Sequence, residues 1–122
     1  MGKKVDDSVP DAALNEIASS VEMYICTAEP TDRADAIALS LIAARALGPG
    51  DYTIADGDAS GRKVTVAAQA SIPLTGTGTA DHVALCTATL LKHVTTATPQ
   101  LLTSGGTVST PAYDASEFED PV

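Results

Sequence analysis

Apolar and polar positions alternate differently along the two parts of this chain. Near the start, Val9, Ala13, Leu14, Ile17, Ala18 and Val21 recur at helical spacing. Ser8 reads as the N-cap, Asp11 three positions on as the far arm of a capping box, and Pro10 sits in the tolerated first turn. The spacing predicts a helix over about residues 9–20, one face packed and Asn15, Glu16 and Ser19 on the other. The next run, 21-VEMYICT-27, favours a strand. The segment 31-TDRADAIALSLIAARALG-48 has the Ala and Leu content of a helix, and Gly48, Pro49 and Gly50 stop it. A helix over about 32–46 is predicted there, with a strand at 36–42 as the alternative.

From residue 51 the pattern is β throughout. The runs are 51-DYTIAD-56, 62-RKVTVAAQ-69, 71-SIPLTGTG-78, 81-DHVALCT-87, 90-LLKHVTTAT-98 and 107-TVSTPAYDA-115, with turns at GDASG, GTGT, TPQ and SGG. Short strands at this even spacing predict a mainly β (α+β) fold: an antiparallel β-sandwich or partly closed barrel with an N-terminal helix. Pro73 and Pro111 are expected at edges or bulges, because proline cannot donate to a ladder. The expected organisation is an N-terminal arm at 1–8, one domain at 9–115 and an acidic tail at 116–122.

Composition narrows the function. A chain of 122 residues suits one domain and buries roughly two-thirds of its unfolded surface. It is 44% hydrophobic but only 3% aromatic, with no Trp, so the core is aliphatic. Three Tyr and one Phe make a poor stacking platform for sugars or single-stranded nucleic acid. A formal charge of −9 repels phosphate backbones, so nucleic acid is not an expected partner. No apolar run is long enough to span a bilayer, and no membrane partner is expected. The N-terminal stretch lacks an apolar signal core, and Asp6 breaks a myristoylation motif at Gly2. Synthesis in the cytoplasm is the expectation. Cys26 and Cys86 lie in apolar runs and read as buried free thiols, with a single disulfide between them as the alternative that no secretory context supports.

The stretch 56-DGDASGRK-63 looks most like chemistry. Asp56, Asp58 and Ser60 have the spacing of the first oxygen ligands of a calcium loop. The twelfth position is Ala67 rather than Glu, the flanks read as strands, and Arg62 and Lys63 add positive charge. The competing reading is a hairpin turn, with Gly57 and Gly61 supplying positive φ. His82 follows Asp81, and His93 lies on the next strand. A triad would need a serine set against one of them, and a zinc site would need further ligands, with Cys86 the candidate in sequence. Phosphate-loop, dinucleotide and nucleophile-elbow motifs are absent from the sequence. Catalytic residues and cofactors are therefore not expected.

The segments 26-CTAEPT-31, 51-DYTIADGDASGRKVTVAA-68, 78-GTADHVALC-86, 93-HVTTAT-98 and 111-PAYDASEFEDP-121 resemble a family of small proteins encoded among the structural genes of tailed bacteriophages. The run DGDxSGRKVTVAA is the most specific part. The likeness thins over 31–50, where this chain is rich in Ala and Leu. It implies a virion structural protein, foremost a capsid decoration protein bracing the major capsid lattice. A tail, neck or fibre-associated component is the alternative within the virion, and a calcium-dependent binding module the alternative of another class. The implied partners are the major capsid protein or other virion proteins, and further copies of the chain as a homo-oligomer. Lys3, Lys4, Val5 and Val9 are the candidate partner contacts.

Overall fold

A computed structural model of the chain describes residues 6–58 and 61–118. Lys3, Lys4, Val5 and Ser60 lie outside the described residues. The fold is mainly β with an N-terminal helix and antiparallel sheets, as the pattern predicts. The elements in order are α1 (Ser8–Ala18), β1 (Glu22–Cys26), α2 (Arg33–Leu39), β2 (Arg45–Ala46), β3 (Tyr52–Asp56), β4 (Arg62–Val66), β5 (Gln69–Pro73), β6 (Gly78–Cys86), β7 (Leu91–Leu102), β8 (Thr107–Thr110) and β9 (Tyr113–Phe118).

Among the described residues, three sheets build a sandwich-like body. The large one has the order β2-β1-β6-β7. The others, β3-β4-β9 and β5-β8, are nearly continuous with each other. Arg62 pairs with Phe118 and Val66 with Tyr113, then Gln69 with Thr110 and Pro73 with Thr107. Residues 62–73 and 107–118 thus form one long two-stranded ribbon, interrupted at 67–68 and 111–112. Pro111 falls in that interruption, where no ladder bond is asked of it. Pro73 lies at the far end of the ribbon.

The large sheet presents alternate residues of β1 and β6 to its two faces. Met23, Ile25, Val83 and Leu85 face the ribbon in two linked clusters. One gathers Ile72, Leu74 and Leu102 around Ile25, the other Val66, Leu47 and Tyr113 around Met23 and Leu85. Tyr24, Cys26, Ala84 and Cys86 face the other way, under Ala36 of α2. Arg33 anchors that helix by donating from Nε to Glu22 Oε1 at 3.0 Å and to the Thr87 carbonyl at 3.1 Å.

The N-terminal helix begins one residue before the expected start. Ser8 is already helical, and the Asp6 carboxylate accepts the Ser8 N–H at 3.1 Å, so the cap lies upstream of Ser8. Asp11 closes no capping box; it pairs with Arg62 instead. The packed face is Pro10, Leu14 and Ile17, whereas Val9 stays 60% exposed and Ala13 and Val21 are also exposed.

The second helix departs further. It stops at Leu39, not near 46, and the expected alternative strand at 36–42 is absent too. After Asp32 caps it, accepting the Asp35 N–H at 2.8 Å, the helix lasts two turns. Leu41 then donates its N–H to the Ile25 carbonyl at 2.8 Å and Leu47 to that of Val21 at 2.9 Å. Leu41, Ile42 and Leu47 enter the core. β1 thus offers backbone partners and the core offers burial, and together these outweigh helix propensity.

Further along, 98-TPQ-100 is not a turn. β7 runs through it to Leu102, and the register jumps from His82↔Thr96 to Ala80↔Gln100, so Pro99 sits in a bulge. The run 71–78 is likewise split: β5 ends at Pro73, and Gly78 already opens β6. β9 continues to Phe118, three residues into the stretch read as a tail, because Ser116, Glu117 and Phe118 pair with β4.

Candidate functional site

The hairpin joining β3 and β4 holds the stretch singled out in the sequence. Tyr52–Asp56 pairs in register with Arg62–Val66. The connection closes with the Gly57 N–H donating to the Gly61 carbonyl at 2.9 Å. Gly61 takes φ +72°, the left-handed conformation that lets the chain turn back; among the described residues only Gly105 and Ser71 share that sign, so Gly57 does not.

The two hairpin aspartates are each met by a cation from β4. Arg62 donates to Asp56 Oδ1 from a terminal nitrogen at 2.9 Å, and from Nε to Asp11 Oδ1 on α1 at 2.9 Å. Lys63 Nζ lies 2.6 Å from Asp58 Oδ1 and 3.2 Å from Asp114 Oδ2 on β9. Thr65 donates to Asp114 Oδ1 at 3.0 Å, and the Asp58 N–H to Glu117 Oε2 at 3.1 Å. The residues brought to this end of the ribbon therefore come from α1, β3, the turn, β4 and β9.

Each charge here responds to its neighbour. Asp58 and then Asp114 hold the Lys63 ammonium above its ordinary range, and Asp11 and then Asp56 do the same for Arg62. Hydrogen bonds from Thr65 and Lys63 hold the Asp114 carboxyl below the ordinary carboxylate range. Oxygens of Asp58, Asp114 and Glu117 lie within 4.8 Å of one another, close enough to share a cation. Asp56 is not part of that group and points to Arg62 instead. The carboxylates nearest Asp58 are thus supplied by β9, not by the next ligand positions of the loop. The Lys63 ammonium already bridges two of them.

The histidines lie apart. His82 pairs with Thr96 and His93 with Leu85, which puts the two rings on opposite faces of the large sheet. His82 and Cys86 share a face but stand four residues apart, about 13 Å along an extended strand. The register also sets Cys26 directly opposite His82, whose Nδ1 lies 2.6 Å from Asp81 Oδ1. A thiol across the strand from an imidazole that meets a carboxylate suggests a nucleophile, a neighbour that nothing local in the chain marks, but the Cys26 thiol donates to the Ala36 carbonyl at 3.5 Å. Burial, reinforced by the charges of Cys86, Asp35 and Asp81, pushes the Cys26 thiol up to about 11. A thiol kept protonated is a weak nucleophile. Both cysteines are free and buried, as the apolar runs predict.

A trough of about 540 Å³ runs between β7 and the β8–β9 strand, with Ile25, Val83, Leu102 and Val108 in its wall and Thr110 and Tyr113 along it. The Thr110 and Tyr113 hydroxyls, both in its lining, are buried without hydrogen-bond partners among the described residues, as is His93 Nδ1 elsewhere on β7. Among the described residues, no helix is long and apolar enough to cross a membrane. Compared with protein-family models, with curated proteins and with solved structures, the chain matches none.

Proposed function

We propose that this chain is a virion structural protein of a tailed bacteriophage, foremost a capsid decoration protein that braces the major capsid lattice. The observation that carries the reading is where its most specific likeness falls. The described residues of the DGDxSGRKVTVAA run take in the last residue of β3 and all of β4, whose Arg62 and Lys63 tie α1 and β9 to the body. Residues that serve such a purpose build a rigid brick. The wider features support the same reading: an aliphatic core, a high negative charge that favours solubility, and an exposed Val9 on α1. The partners are the major capsid protein or other virion proteins. Many copies per particle add avidity, so each contact can be modest.

Counting copies in purified particles tests this. Hundreds per particle support decoration. Six or twelve move the protein to a neck or tail, and absence from finished particles overturns the virion reading. Removing residues 2–5 leaves the Asp6 cap in place. That truncation is expected to weaken attachment while leaving the far-ultraviolet circular dichroism unchanged. A calcium-dependent module on Asp56, Asp58 and Ser60 stands behind this reading, because Arg62 and Lys63 already partner the two aspartates. Calorimetry with calcium separates the two: a binding heat lost in Asp56→Ala revives the module, and no heat at millimolar calcium closes it.

A further inference from the structure

The charges of this chain are unevenly placed. No Asp, Glu, Lys or Arg occurs in residues 64–80 or 93–113. The pairing of β5 with β8, and of the start of β6 with the end of β7, brings these stretches together. One end of the long ribbon, at Arg62 and Phe118, gathers Asp11, Asp56, Asp58, Asp114 and Glu117. The other, at Pro73 and Thr107, is uncharged. Two copies carrying −9 each repel one another, and least where the facing surfaces bring no charge.

The sheet edges differ in the same way. Of the two edges of the large sheet, β2 is only two residues long, while β7 has twelve. In the three-stranded sheet, α1 packs against β3, and β9 carries Asp114 and Glu117. Edge strands expose unpaired N–H and C=O groups, and proteins guard them with charge, shortness, proline, a bulge or a covering element. β7 has such guards around Pro99 and at Lys92, where the register also shifts, and residues 93–96 between them have neither proline nor bulge. From His93 to Leu102, β7 has no charged side chain; the bulge at Pro99 interrupts it without charging it. Thr96–Leu101 is exposed, and Leu101, at 72%, is the most exposed large apolar side chain among the described residues.

We propose that β7 is a self-association edge, pairing antiparallel with β7 of a second copy about a two-fold axis and covering Leu101. Such a contact is isologous, so the same uncharged strand serves both sides. Charge selects the occupant. A basic partner is drawn to the acidic end, and an acidic one needs a contact free of like charge, which a second β7 supplies. The inference goes beyond the virion reading and does not depend on where in a particle the protein sits.

Sedimentation velocity of the full chain from low to high micromolar concentration tests it. The expected result is a monomer–dimer equilibrium that tightens as salt is raised, because screening removes repulsion while the contact itself holds no ion pair. Leu101→Asp and Thr98→Lys each place two like charges at the two-fold contact, and each is expected to weaken the dimer about tenfold or more. Thr89→Lys, in the exposed β6–β7 turn, is expected to leave it unchanged. Circular dichroism of each variant checks folding; should Leu101→Asp unfold, Thr98→Lys carries the test. A monomer at every concentration and salt overturns the proposal. So does a dimer that salt weakens, or one untouched by the folded β7 variants.

Discussion

Arg62 on β4 donates from Nε to Asp11 on α1 at 2.9 Å, joining residues 51 positions apart and fastening the N-terminal helix to the hairpin. The guanidinium also reaches Asp56, so one side chain links the helix, the hairpin's first strand and its second. The pair is part-buried, and Arg's planar fork suits two carboxylates better than a lysine does. Arg62→Lys is expected to lower the unfolding midpoint despite keeping the charge. In a double-mutant cycle with Asp11→Asn, a coupling indistinguishable from zero would show that the helix is held by packing alone.

Packing is the larger share of that attachment. Leu14 is fully buried while its neighbours Ala13 and Asn15 face solvent. Leu14→Ala is expected to cost roughly 2–5 kcal/mol, the range for buried leucine truncations. Urea denaturation measures it. A cost of only a few tenths would mean that the helix contributes little to the cooperative unit.

Acid and alkali should each destabilise the fold, through different groups. Burial holds His93 below its ordinary 6.5, against a smaller opposing effect of the Ala115 backbone. A depressed histidine gives stability that is present above the unfolded value and lost as pH falls from 6.5 towards the folded value. Asp51, held down by the Gly48 N–H and then Gln69, and Asp114 add a second loss below the ordinary carboxylate value of 3.8. On the alkaline side, burial pushes Cys26 up to about 11 and Tyr52 up to about 12, so stability declines as pH rises above 9. Urea midpoints across pH trace both limbs. His93→Gln should remove the fall that begins at 6.5; its persistence would assign that limb to other groups.

The thiols offer a check on the sheet register. Cys26 stands opposite His82 and Cys86 opposite Glu22, so the two do not face each other across the strands. Both are fully buried. The native protein is expected to be silent to a thiol reagent and to release two reactive thiols in denaturant. A disulfide recovered from gently purified protein would contradict the register of β1 on β6.

How much of this was legible from residues alone depends on how local each cause is. The hairpin of β3 and β4 was visible because alternation, turn residues and pairing all lie within 52–66. The charged tip was half visible: Arg62 and Lys63 stand next to the aspartates they neutralise. Asp114 and Glu117 were missed because they arrive on β9, some 50 positions on, and nothing local marks them. TPQ was misread for a related reason, since a bulge accommodates Pro99 only when β6 is alongside.

By itself, then, the order of residues determined the class of fold, the N-terminal helix, the aliphatic core, the buried thiols and the hairpin, because propensity, periodicity and turn chemistry act over a few neighbours. Tertiary structure alone decided where α2 ends, that Val9 and Ala13 stay outside the packed face of α1, how 62–73 and 107–118 join into one ribbon, and which carboxylates surround Lys63. Those outcomes depend on backbone partners and apolar surfaces supplied by distant segments, and their free energy exists only once the strands have met.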